Sequence, residues 1–263
     1  VAYISGRADM MSAAFMYAGL LAIVASSGRW GGIVGGVLGL VCFGAGLLSK
    51  ESSLIFPVLL GILLTLLWMQ ESKREGSSEY RLVKHFWPAG GALLLLIGYM
   101  ALRSTVLKFA EGSDSAAAPL GQRLMEAGQA FTFYHKLLFW PSHLHMERTL
   151  KDVPSWIGIL GWGLIILWGA GAVVAVRRRQ YRVAAGMVWF LAGWLPISGI
   201  FPLNAPMAEH WMYVPMAGFW WVLAEILVMC LPKSFAWAPV VPVSVFCLLL
   251  LGMTVQRNLD WHD

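Results

Sequence analysis

The stretch Gly31–Met69, GGIVGGVLGLVCFGAGLLSKESSLIFPVLLGILLTLLWM, is two apolar runs hinged on the tetrapeptide SKES. A helix that spans a bilayer needs about 20 mostly apolar residues, because each residue rises about 1.5 Å and the hydrocarbon core is about 30 Å thick. Runs 31–49 and 52–70 meet that length, and Lys50 and Glu51 fall in the turn between them. Lipid offers no hydrogen bonds to an open strand edge, so both runs are read as helices. The glycines of the first run allow a neighbouring helix to approach closely.

The same reading extends along the chain. Further runs lie at about 10–27, 87–105, 155–176, 183–202, 210–231 and 237–256, giving eight in all. The 263 residues are 59% hydrophobic and only 13% charged, with a mean hydropathy of +0.68. Soluble domains carry about twice that share of charge. The expected fold is therefore all-α: a polytopic membrane bundle of about eight helices over 1–256, with 257–263 as a junction to something further. The 14 Trp residues suit the water–lipid boundary.

Charge gives the orientation. Loops containing SGRWG, ESKREGSSEYRLVKH, RRRQYR and LPKS sum to +7, the opposite side sums to −1, and Glu225 within a helix adds −1. The basic side is read as cytoplasmic. Val1–Asp9, Lys50–Glu51, loop 106–154, Asn204–Glu209 and the C-terminus then face the periplasm or lumen. Topology accounts for the net charge of +5, and nucleic acid is not a partner. Within the outer loop, EGSDSAAAPLG is flexible in composition. QRLMEAGQAFTFYHKLLFW, ended by Pro141, suits an amphipathic helix at the membrane surface. Cys42, Cys230 and Cys247 all fall in apolar runs without metal or redox spacing and are read as small buried hydrophobes.

Ionisable groups at membrane depth are costly, so they are candidates for function. They concentrate on the outer face: Arg7 and Asp9 in SGRAD, Lys50 and Glu51 in SKES, Arg103 at the end of the fourth run, His143, His145 and Glu147 in HLHMER, and Glu209 and His210 in NAPMAEHW. Singly, each has a plain reading as a local ion pair, a solvated turn or a snorkelling arginine. The histidine pair is too weakly spaced to signal a metal, and Glu225 reads as a structural hydrogen-bonding group. Jointly, cations at headgroup level suit a phosphate. Carboxylates beside them suit a general base for an incoming hydroxyl.

The motifs VAYISGRADMMSAAF, GLLSKESSLIFPVLL, YHKLLFWPSHL, ISGIFPLNAPMAEHWMYVPMAGF and QRNLDWHD, in that order, resemble the polytopic half of the transmembrane and tetratricopeptide-repeat O-mannosyltransferases and their bacterial relatives. These belong to the GT-C superfamily of polyprenyl-phosphate-sugar glycosyltransferases. The resemblance implies transfer of a mannose-like sugar from a polyprenyl-phosphate donor to a protein hydroxyl. The implied setting is the periplasmic face of a bacterial inner membrane. It makes Arg7, Lys50, Glu51, His210, Tyr213 and Arg103 donor phosphate- or sugar-binding residues. Glu209 and Asp9 become the catalytic carboxylates, with Asp9 and Glu51 also orienting the cations. Where the family often has Arg, this chain has His210. Many such enzymes use a divalent ion, but no convincing ligand set stands in this sequence. The family's first helix and most of its first outer loop would precede Val1, and its repeats would follow Asp263. The resemblance therefore reads the chain as cut at both ends and inactive alone. The alternative from the residues is a transporter or flippase of a lipid-linked or anionic solute. Transporters keep their charges near the midplane, often in repeated halves, and neither feature is visible here.

Overall fold

The first pair of apolar runs folds as a close helical hairpin. In the computed structural model α1 (Gly6–Ala25) packs on α2 (Arg29–Ser49) with Gly19 against Gly39. A Cβ on either glycine would come within 2.9 Å of the other's carbonyl oxygen, so only glycine permits this spacing. The structure describes residues 6–25, 29–71, 79–105, 118–142, 145, 147–201, 203, 205–230 and 240–259. His143, residues 106–117, most of the basic loops around 72–78 and 231–239, and the last four junction residues lie outside the described residues.

After α2 the chain continues through a 3₁₀ segment, Glu51–Ile55, into α3 (Phe56–Glu71) and then α4 (Glu79–Thr105). Next come α5 (Leu120–Phe139), α6 (Ser155–Arg177), α7 (Tyr181–Trp194), α8 (Pro215–Cys230) and α9 (Val240–Leu259). Among the described residues the fold is all-α apart from one short antiparallel ladder, β1 (Glu147–Arg148) with β2 (Met207–Ala208).

Among the described residues, five stretches are long and apolar enough to cross a membrane: Gly6–Ala25, Gly32–Ser49, Glu51–Met69, Phe86–Thr105 and Ser155–Arg177. The remaining three of the eight runs give shorter apolar helices, Tyr181–Ile197, Pro215–Cys230 and Val243–Gln256. Two of these are shorter for a visible reason. Pro196 and Gly199 (φ 76°) bring α7 to an end through a 3₁₀ turn, Leu195–Ile197. The run expected from 210 begins instead with a 3₁₀ segment, Glu209–Tyr213, and becomes α-helical only at Pro215, which lacks the N–H an earlier turn would need. The outward faces carry exposed Leu21, Val41, Leu94, Ile166, Val228 and Leu248, as expected of a bundle solvated by lipid. The protein is thus a helical membrane protein. Cys230 and Cys247 lie on that exposed surface, not in the core as expected, and Cys42 is half-buried.

Among the described residues two large apolar cores hold the bundle, beside a smaller cluster of Ala175, Val183, Ala184 and Val222. One joins α1, α2 and α3 around Met16, Phe43, Phe56 and Leu60. The other gathers Phe131, Tyr134, Phe190, Trp194, Met207 and Phe219 from α5, α7, α8 and β2. The amphipathic pattern of α5 is present, and its apolar face packs on other helices. Ala127, Gly128, Ala130, Phe131, Tyr134 and Leu138 are buried. Arg123 donates to the carbonyl of Ile200 and Tyr134 to that of Ala208, at 3.0 Å each, so α5 braces the segment that leads to Glu209.

His135 sits inside this second core among Phe131, Trp168, Phe190 and Phe219. Trp168 Nε1 donates to its Nε2 at 2.8 Å, so Nδ1 carries the proton and donates to the carbonyl of Phe131 at 2.9 Å. Trp168→Phe keeps the ring but leaves a buried acceptor unmatched. The expected loss is about 1–3 kcal/mol, measurable by denaturant titration in micelles. An unchanged midpoint would contradict the assigned tautomer.

Candidate functional site

The site grows from one buried carboxylate. Asp9 lies in the first turn of α1 and is 5% exposed, on the same helix face as Ser12 and Met16. A carboxylate there needs a cation, and one arrives from 41 residues away. Lys50 leaves the end of α2 in an extended conformation (φ −161°, ψ 146°), and its Nζ donates to Asp9 Oδ2 at 2.5 Å. Beneath the pair Ser12 Oγ, fully buried, lies 2.7 Å from Ser53 Oγ and 3.1 Å from Ser52 Oγ. This hydroxyl chain ties the 3₁₀ segment to α1 and fixes the direction of Lys50.

His210 comes to the same carboxylate from the other side, with Nε2 3.5 Å from Asp9 Oδ2. Its position is set below it. Tyr17 of α1 donates to the carbonyls of Tyr213 (2.7 Å) and Val214 (3.3 Å), and Trp189 of α7 donates to that of Val214 (3.0 Å). These donors satisfy carbonyls freed where the 3₁₀ segment hands over to α8 at Pro215. Tyr213 itself packs, partly buried, against the first core, one 3₁₀ turn from His210.

Glu209 faces a different set of groups. Its Oε1 accepts from the backbone N–H of His145 at 2.7 Å and lies 3.7 Å from Arg148 Nη2. The ladder pairing Arg148 with Met207 and Glu147 with Ala208 produces this geometry. Arg148 also lies 5.4 Å over the ring of Phe133. On the far side of Lys50, the neighbouring Glu51 forms an ion pair with Arg103 at the end of α4.

The sequence-predicted residues therefore separate. Asp9, Lys50 and His210 meet in one cluster, and Glu209 adjoins it through its sequence neighbour. Lys50 and Glu51, expected as one solvated turn, point to different partners. Arg7, expected to pair with Asp9, is exposed and makes no ion pair among the described residues, because positions two apart on a helix face away from each other. Glu225, read as a buried hydrogen-bonding group, lies 3.7 Å from Arg182 at the opposite end of the bundle. Ser12, Ser53, Tyr17 and Arg148 were not singled out from the sequence. Ser12 had a signal, since it shares a helix face with Asp9, but Arg148 becomes relevant only through the β1–β2 register. Among the described residues no group of three or more His, Cys, Asp and Glu is arranged to hold a metal ion.

Burial lowers the pKa of His210 from its ordinary value near 6.5; Lys50 lowers it further, and the fields of Asp9 and Glu147 only partly oppose this. At neutral pH the ring is neutral. A base with a depressed folded pKa is protonated first in the unfolded chain, so acidification below about pH 6.5 favours unfolding. Stability should fall as pH drops through that window, and His210→Gln should remove that part of the slope. Parallel curves for the two proteins in pH-dependent unfolding would sink this assignment.

No family model, curated protein or solved structure matches this chain.

Proposed function

We propose that the chain is the membrane part of a glycosyltransferase that moves a mannose-like sugar from a polyprenyl phosphate to a protein hydroxyl. The cluster would lie on the periplasmic or lumenal face of an eight-span, GT-C-like bundle. The observation that carries this reading is the meeting of Lys50 and His210 on the buried Asp9, from segments far apart in sequence, at one end of an apolar bundle. Asp9 acts as a positioning residue: it holds Lys50 by one N–H and leaves two ammonium donors for a phosphate. Neutral His210 adds a polar ring beside the ammonium and no fixed charge. Glu209, oriented by His145 N–H and Arg148, is the carboxylate placed to receive the proton of the acceptor hydroxyl. The ion pair Glu51–Arg103 and the exposed Arg7 flank the headgroup region.

The test is transfer from polyprenyl-phosphate mannose to a Ser/Thr peptide by the full-length protein in liposomes. Lys50→Ala should reduce product by about 10²-fold, the scale of losing one charged donor to a developing phosphate charge. Arg7→Ala should change it far less. Unimpaired transfer by Lys50→Ala would remove the site. Solute movement without any glycoconjugate would favour a transporter.

A further inference from the structure

At the end of the bundle opposite Asp9 lies an apolar groove of about 340 Å³. Gly61, Ile62, Thr65 and Met69 of α3 form one wall, and Val176 of α6 with Tyr181, Ala184 and Val188 of α7 form the other. Its floor is open at Gly61, where a Cβ would meet nothing within 4 Å. From Gly61 to Met69 the wall runs eight residues, about 12 Å of helix, long enough for much of one acyl chain.

The connection between Val176 and Tyr181 is Arg177-Arg178-Arg179-Gln180, and Arg182 follows. Both lining residues thus flank a run of guanidinium groups. Arg177, Arg178 and Arg179 are exposed and make no ion pair among the described residues, while Arg182 faces Glu225. Arg179 holds φ 61°, in the left-handed turn that reverses the chain between the lining residues Val176 and Tyr181. A positive bias of membrane loops accounts for the arginines alone. It does not account for a groove, open at a glycine, that starts at the same turn.

We infer that this groove binds one acyl chain of an anionic glycerophospholipid from the adjacent leaflet, its phosphate held by Arg177 and Arg178. The occupant is chosen by complementarity at both ends: hydrocarbon against an apolar lining, and a phosphodiester against guanidinium groups that have no carboxylate partner among the described residues. A zwitterionic lipid would fill the groove equally well but brings its own cation to the arginines. An isoprenoid phosphate anchored at Lys50 would carry its phosphate at the other end.

The experiment is native mass spectrometry of the full-length protein from nanodiscs of phosphatidylglycerol, phosphatidylcholine with the same acyl chains, or phosphatidylcholine doped with a polyprenyl phosphate. The expected result is retention of phosphatidylglycerol over phosphatidylcholine. Gly61→Leu starts from a Cβ that meets nothing within 4 Å, places apolar atoms in the groove, and should weaken retention about tenfold, as if about two methylenes were expelled. Arg177→Gln/Arg178→Gln should abolish the preference between the two phospholipids while leaving phosphatidylcholine retention unchanged. Both variants should unfold in lipid-free micelles at the wild-type midpoint, which separates lipid loss from misfolding. Equal retention of the two phospholipids by the wild type, a preference that survives both variants, or displacement of phosphatidylglycerol by polyprenyl phosphate would each overturn the inference.

Discussion

Lys50→Met is expected to cost about 3–5 kcal/mol of stability, the range for removing one partner of a buried pair, and more than Asp9→Asn. The asymmetry follows from exposure. Asp9 is 5% exposed and cannot reach water when Lys50 is gone, whereas Lys50, at 32%, can swing its ammonium outward when the carboxylate is removed. Loss of Lys50 removes one of the causes that hold the His210 ring neutral, so lowering the pH should recover part of this cost through His210 beside Asp9. The double variant Asp9→Asn/Lys50→Met should therefore be less destabilised than the sum of the two singles. A four-protein unfolding cycle in micelles measures this. An additive cycle would mean that the two side chains are not paired, and with it would go the platform that aims Lys50 at a phosphate.

The second large effect lies at the crossing of α5 and α6. Gly128 rests on Gly158 and Gly161 so closely that a Cβ on Gly161 would fall on the carbonyl of Gly128. The obstacle is backbone, so no side-chain rotation relieves it and the helices must separate. Gly161→Ala is expected to destabilise by about 1–3 kcal/mol, the usual range for overpacking, and Gly161→Leu by more. Separation would also stretch the hydrogen bonds from Thr132 to Ile157 and from Trp162 to Leu124. Gly163→Ala on the same helix, where a Cβ meets nothing within 4 Å, is the control and should stabilise by up to about 1 kcal/mol. Equal effects at the two positions would show that intrinsic helix preference, not the crossing, governs α6.

The site was legible as a set of residue types and only partly as a set of partners. Asp9, Lys50, Glu51, Arg103, Glu209 and His210 stand out because ionisable groups beside apolar runs are rare and costly. Which of them touch is another matter. Arg7 and Asp9 are neighbours in the chain yet diverge by helix geometry. Lys50 and Glu51 are adjacent yet divided between Asp9 and Arg103 by the extended conformation at Lys50. Arg148 enters only because two-residue strands from distant loops align it with Met207.

The sequence by itself determined that this chain is helical and lives in lipid, since apolar runs of spanning length have no other way to satisfy their backbone. It set the helix bounds less well: the runs read at 183–202 and 210–231 pass through Pro196, Gly199 and Pro215, where the helix ends or begins because proline and glycine act on their own local backbone. Tertiary structure alone decided that Asp9 receives Lys50, that His210 is a neutral ring beside them, and that α5 buries its apolar face on other helices. Those outcomes depend on packing across tens to hundreds of residues, where a Tyr17 hydroxyl or a glycine crossing sets directions that no local pattern encodes.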